Sequence, residues 1–210
     1  LSKKGALISN HTAQHDYLHV KLDGETNTQW KERITQDIVH SQQRIKDEIG
    51  HDFKYLAYPY GEFDNELQAL VTELGYIGIG QHSGALNKHS NFSRLPRFPA
   101  SGVYSDIKTL ATKLNSQAFN ITQLSYENSV TKQNPPALTI GFQVDDFNKS
   151  QLACYVSGIG KANLNWVTDN TVEVTSPKKL NKGRSRFNCT APSIKKPNSY
   201  YWFSQPWVIL

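Results

Sequence analysis

Between residues 126 and 136 the sequence changes its pattern, and that change limits what the chain can fold into more than any other feature. Up to about residue 125, short apolar runs alternate with helix-like segments, the arrangement of an α/β domain. A polar stretch then closes on Pro135-Pro136, and the residues beyond that pair have no helical period. The runs "ALTIGFQV", "QLACYVSG", "ANLNWVT", "TVEVTS", "SRFNCTAP" and "SYYWFSQPWVI" are separated by Gly, Asn, Asp and Pro. Short runs at that spacing predict a small β-sandwich. The expected fold class is therefore α/β followed by all-β, with an α/β domain over residues 1–126, a linker over 127–136 and a sandwich over 137–210.

In the first part, "ALIS" at residues 6–9 reads as a strand. Over residues 28–49 the apolar positions Trp30, Ile34, Ile38, Ile45 and Ile49 recur at helical spacing, and Gly50 comes next as a stop. "FKYLAYP" reads as a strand, "DNELQALVTELGY" as a helix capped by Asp64 or Asn65 and ended by Gly75, and "YIGIG" as a further strand. A helix over residues 105–114 and a strand in "FNITQL" complete three or four βα units.

The formal charge of +5 is densest in "PKKLNKGRSR", residues 177–186. No aromatic residues are interleaved there to stack on bases, so the run reads as a solvated loop or sheet face rather than a nucleic-acid site. No stretch approaches the ~18 apolar residues that a membrane span needs. The two cysteines, Cys154 and Cys189, are too far apart for a CxxC motif. A structural disulfide would place the chain in the periplasm or outside the cell; two buried free thiols are the alternative. The order Cys154, Trp166, Cys189 resembles that of immunoglobulin-like sandwiches, in which a Trp packs on an intersheet disulfide, although Phe187 stands where those domains carry a tyrosine. Asp145-Asp146 reads as a turn or strand-edge pair, and the aromatic strip "YYWFSQPWV" as core packing.

Chemistry concentrates in "SNHTAQH", where His11 and His15 stand four apart at the end of the first apolar run. Two imidazoles on one side of a turn can share an ion, yet such a bare pair is more often two partly exposed polar side chains near a helix start. Downstream come "AYPYGEF", "YIGIGQHSG" and "LPRFPAS". In this order, over residues 1–102, the chain resembles the polysaccharide deacetylases, the NodB-homology group of metal-dependent carbohydrate esterases.

That resemblance implies that His11-Thr12-Ala13-Gln14-His15 supplies two metal ligands and that Pro59-Tyr60-Gly61 forms part of a groove wall. It implies hydrolysis of N-acetyl groups on a polysaccharide, assisted by a divalent metal, most readily zinc. It further implies a partial (β/α) barrel. The family's arginine two residues before the proline is Ala57 here, so its contacts do not carry over. The family's Asp-Asp pair, base and third ligand, normally precedes the histidines, and no acidic residue precedes His11. A chain that starts at Leu1 and holds no methionine is expected to have lost an upstream segment, with the acidic pair and the first strands of the barrel on it. The 210 residues alone are then expected to be inactive, to hold the ion weakly or not at all, and to have the missing segment as a partner.

By position, His82 is the candidate general acid, without the family's Leu-x-His around it. Tyr58 and Tyr60 offer faces for sugar rings, and Arg97, with Arg94 nearby, is a candidate for sugar hydroxyls or a carboxylate. Two rival readings are a glycan-binding protein on the same scaffold and a structural or adhesion module carried by the sandwich.

Overall fold

The structure, a computed structural model, describes residues 1–126, 128–143 and 146–210, and for Val103 the backbone alone. Asp145 thus lies outside the described residues. The chain divides into two compact units, residues 1–81 with 91–95, and residues 82–90 with 96–210. No helix among the described residues is long and apolar enough to cross a membrane.

In the first unit, helix α1 spans Asn27–Ile49. Its start is fixed by a capping box: Thr26 Oγ1 accepts the Gln29 N–H, and the Gln29 side chain accepts the Thr26 N–H. Its end is Gly50, whose φ of 75° lets its N–H turn back to the Lys46 carbonyl. Trp30, Ile34, Ile38 and Gln42, four apart, form the buried stripe.

Strands β1 (Tyr55–Ala57) and β2 (Ile77–Ile79) pair in parallel, joined by helix α2 (Asn65–Glu73). Asp64 caps α2 by accepting the Leu67 N–H. Single parallel bridges extend this pair on both sides, Asn10 beside Leu56 and Leu95 beside Ile79. A Cβ on Gly78 would lie 2.2 Å from the Ser93 carbonyl oxygen, so this close approach admits only glycine. The core gathers α1, α2 and the short strands through Trp30, Ile34, Ile38, Leu56, Tyr58, Phe63 and Leu67. Each such side chain contributes roughly 1.5–3 kcal/mol by leaving water.

Two expectations change here. Residues 6–9 form no strand, because only Asn10 reaches a neighbour to pair with. One complete βαβ unit, β1-α2-β2, stands in place of three or four βα units, since the later segments pair elsewhere.

The second unit begins its regular structure with helix α3 (Ile107–Leu114) and strands β3 (Ile121–Ser125) and β4 (Val130–Thr131). Next come β5 (Ala137–Phe142), β6 (Ala153–Val156), β7 (Gly160–Lys161), β8 (Asn163–Trp166), β9 (Thr171–Thr175), β10 (Gly183–Pro192) and β11 (Tyr200–Ile209). One sheet has the order β4-β11-β10-β6-β7 and the other β3-β5-β9-β8. Their inner faces share a core of Leu138, Ile140, Phe142, Val172, Val174, Phe187, Ala191 and Trp207. Burial alternates with the period of two expected for a sheet with one face on a core: Phe187, Cys189 and Ala191 point inward on β10.

The compact second unit begins upstream of the linker expected at residues 127–136, because β3 pairs antiparallel with β5 and β4 runs beside β11. Cys154 and Cys189 form a disulfide, and both are fully buried. The two are directly opposed on β6 and β10, neighbours in the same sheet. The expected intersheet bridge under Trp166 is therefore corrected: Trp166 lies on β8 of the other sheet, where it packs near Phe142.

Candidate metal centre

Asn10, with no exposed surface, is the anchor of the histidine turn. Its N–H donates to the Tyr55 carbonyl and its own carbonyl accepts from Ala57 N–H, both at 2.9 Å, which locks it to β1. Its side-chain amide donates to the Ile38 carbonyl at 2.9 Å and to Gln42 Oε1 at 3.1 Å, while Oδ1 accepts the Thr12 N–H at 2.8 Å. One side chain thus ties α1, β1 and the turn together.

Past Asn10 the backbone is unusual. Thr12 has φ 63° and His15 φ 58°, left-handed values that cost non-glycine residues about 1–2 kcal/mol each. Side chains hold them there. Asp37 Oδ1 accepts the N–H groups of Ala13 and Gln14, at 2.9 and 3.1 Å, and Thr12 Oγ1 accepts the His15 N–H at 3.0 Å.

His11 Nδ1 lies 2.7 Å from the Ala57 carbonyl oxygen. A carbonyl only accepts, so Nδ1 carries the proton and the lone pair of the neutral ring sits on Nε2. Orientation of a ligating imidazole by a backbone carbonyl on its other nitrogen is the usual second layer of a metal site. That Nε2 lies 3.1 Å from His15 Nε2, a spacing that suits two nitrogens each about 2.0–2.1 Å from one zinc ion. Both rings are exposed. The donor set fits a divalent metal with His11 and His15 as two ligands. Among the described residues no group of three or more His, Cys, Asp or Glu converges on one point.

The Pro59-Tyr60-Gly61 turn stands beside this pair. Tyr60 has φ 58° and Gly61 φ 71°; a Cβ on Gly61 would come within 2.8 Å of the Gln81 amide nitrogen, so only glycine fits. This backbone turns the Tyr60 ring onto the edge of His15, centroids 4.8 Å apart, and stacks it on Tyr17 at 4.1 Å and 11°. The rings of His11, His15, Tyr60 and Tyr17 are therefore in unbroken contact.

Tyr58 does not offer a face to a sugar. It is 1% exposed, its hydroxyl donates to the Ser93 carbonyl at 2.7 Å, and burial raises its phenol above the ordinary value. Pro59 and Gly61 are buried as well and act as the frame of the turn. Arg94 is buried, with its guanidinium 5.2 Å over the Phe63 ring. His82 and Arg97 belong to the second unit, where His82 is buried and its carbonyl accepts the Arg97 N–H at 2.9 Å.

Sequence reasoning missed Asn10, Asp37, Tyr17 and His19. His19 Nε2 lies 3.8 Å from Glu62 Oε2, and burial lowers its imidazole below the ordinary value, favouring the neutral ring. A pattern of polar and aromatic residues flanking the pair was visible, but a hydrogen-bond partner 24 or 32 positions away was not.

The family model described as polysaccharide deacetylase matches residues 1–79. No curated protein matches the chain. Among solved structures, the BpsB deacetylase domain from Bordetella bronchiseptica is 22% identical, with 35% of this chain and 28% of that one covered and a TM-score of 0.33. The chain therefore spans little more than a quarter of that domain. CopC from Methylosinus trichosporium OB3b is 9% identical over 43% of this chain and 92% of that one, TM-score 0.32. The endo-beta-1,4-mannanase from Thermotoga petrophila is 12% identical over 87% of this chain and 43% of that one, TM-score 0.31. The His-Thr-x-x-His turn and the Pro-Tyr-Gly turn, which stand side by side, both lie within the residues 1–79 that are similar to the polysaccharide deacetylase family model.

Proposed function

We propose that the first unit is the histidine-bearing part of a metal-dependent deacetylase that removes N-acetyl groups from a polysaccharide. The observation that supports this reading most is the His11 Nδ1 to Ala57 bond, which presents the Nε2 lone pair toward His15 Nε2, 3.1 Å away. A bound zinc ion would supply Lewis acidity to the amide carbonyl and make a water nucleophilic. His11 and His15 hold that ion, their turn kept rigid by Asn10 and Asp37. Tyr60 walls one side.

The reading also needs a carboxylate base and a third protein ligand, which we assign to a segment outside these 210 residues. His82 is the proposed proton donor to the leaving amine, with Arg97 as a polar contact for substrate. The first unit is proposed as part of a (β/α) barrel. The second is proposed as an immunoglobulin-like accessory sandwich with residues 127–136 as a linker region, although its disulfide lies within one sheet. That disulfide supports a periplasmic or secreted protein.

The test is a zinc titration of the 210-residue chain by calorimetry. Any zinc bound by this chain is expected to be weak, at no more than one equivalent, and to be lost in both His11→Ala and His15→Ala, while the chain alone leaves N-acetylglucosamine oligomers uncleaved. Zinc binding that survives both substitutions would refute the ligand assignment, and robust cleavage by a preparation of verified mass would refute the need for an outside carboxylate.

A further inference from the structure

The four-ring contact does not end at the wall of the metal site. Tyr17, which the resemblance assigns no role, lies beyond Tyr60 and is 48% exposed. One face of its ring is covered by Tyr60 at 4.1 Å, with the planes 11° apart, and it stands outside the hydrophobic core of the unit. The exposed half of a ring whose other face is stacked is a flat apolar surface with a hydroxyl at its rim. Its position is set before any ligand arrives, because Tyr60 is fixed by its left-handed backbone and by His15, and His19 packs edge-on to Tyr17 at 6.4 Å. Rigid aromatic faces lose little entropy on binding.

We propose that Tyr17 is a saccharide platform that holds the sugar next to the one whose acetyl group is presented to His11 and His15. The proposal rests on the deacetylase reading and extends it to a specificity-determining residue. The chemistry is that of a pyranose whose axial C–H bonds form an apolar, weakly positive face, which matches the negative face of a phenol ring; the sugar's hydroxyls remain at the rim and in water. A carbohydrate polymer satisfies this geometry because consecutive rings extend along the stack, whereas acetate or a free N-acetyl sugar seated at the histidines would not reach Tyr17. Tyr17 thereby makes the site one for oligomers rather than for single sugars.

The test uses the 210-residue chain with a chelator present, so that no ion contributes. Chitopentaose and the 1,6-linked pentasaccharide of N-acetylglucosamine are titrated in parallel, with ring-proton shifts and saturation transfer as the readout. At least one pentasaccharide is expected to bind and to contact the Tyr17 ring protons. Tyr17→Ala should weaken binding about tenfold, and Tyr17→Phe, which keeps the ring face, should stay within about twofold. Tyr17→Phe also guards against a general loss of fold, as does an unchanged amide spectrum of Tyr17→Ala outside the loop. Equal affinity of Tyr17→Ala and the parent chain, or no binding of either pentasaccharide, overturns the proposal. If Tyr17-dependent binding is present but zinc binding survives both His11→Ala and His15→Ala, the metal reading falls and the platform stands; the reverse pattern removes the platform and leaves the metal reading intact.

Discussion

Asn10 contributes nothing to the surface, yet three of its side-chain hydrogen bonds determine where His11 begins. Truncation to alanine would strand the Thr12 N–H, the Ile38 carbonyl and Gln42 Oε1 at a site of low solvent access. Asn10→Ala is therefore expected to destabilise the first unit by about 2–4 kcal/mol, measured by urea unfolding tracked through Trp30, and to weaken zinc binding in the same variant. A variant that unfolds at the parent's urea midpoint would show that the network is dispensable. The contrast between Tyr58 and Tyr60 belongs to this scale too. Two residues apart, they would share a face in a continuing strand. The strand stops at Ala57, however, and the left-handed Tyr60 sends one ring into the core and the other toward His15.

Helix α1 is the element on which the site is hung, since Asp37 and Gln42 both project from it toward the histidine turn or its anchor. Its extent was legible because a helix declares itself locally, through an i, i+4 apolar stripe and a Gly at the end, whereas the Thr26–Gln29 capping box at its start emerged only in the structure. Thr26→Ala removes one half of the capping box and leaves the Gln29 N–H without its acceptor. The expected cost is about 1 kcal/mol in denaturant unfolding, and Thr26→Ser should restore most of it. A short strand gives no comparable local signal. Residues 6–9 have strand-like composition but no strand, while the three-residue β1 and β2 exist because α1, α2 and one another cover them. β-structure depends on a partner that the segment itself does not encode.

For the chain as a whole, the sandwich unit carries the disulfide. Cys154 and Cys189 close a loop of 35 residues between adjacent strands whose side chains are fully buried at that point. Replacing both by serine removes the covalent constraint and buries two hydroxyls in an apolar core. The double variant is expected to lose about 3–4 kcal/mol, read as a lower guanidinium midpoint under non-reducing conditions. An unchanged midpoint would mean that the sheet register holds without the bridge.

By itself, the sequence determined which segments are helical, where they start and stop, that the C-terminal part is all-β, and that His11, His15 and the Pro-Tyr-Gly turn form one recognisable set. These are properties of residues within a few positions of one another, where periodicity, capping chemistry and motif spacing act. Only the tertiary structure decided that Tyr58 is core while Tyr60 and Tyr17 stack beside the histidines, that Asn10 and Asp37 hold the turn, and that the disulfide stays inside one sheet. Each of those depends on which face of a segment meets which distant neighbour. Burial and hydrogen-bond satisfaction are settled only when the long-range contacts form, since a side chain turned inward in one packing faces water in another.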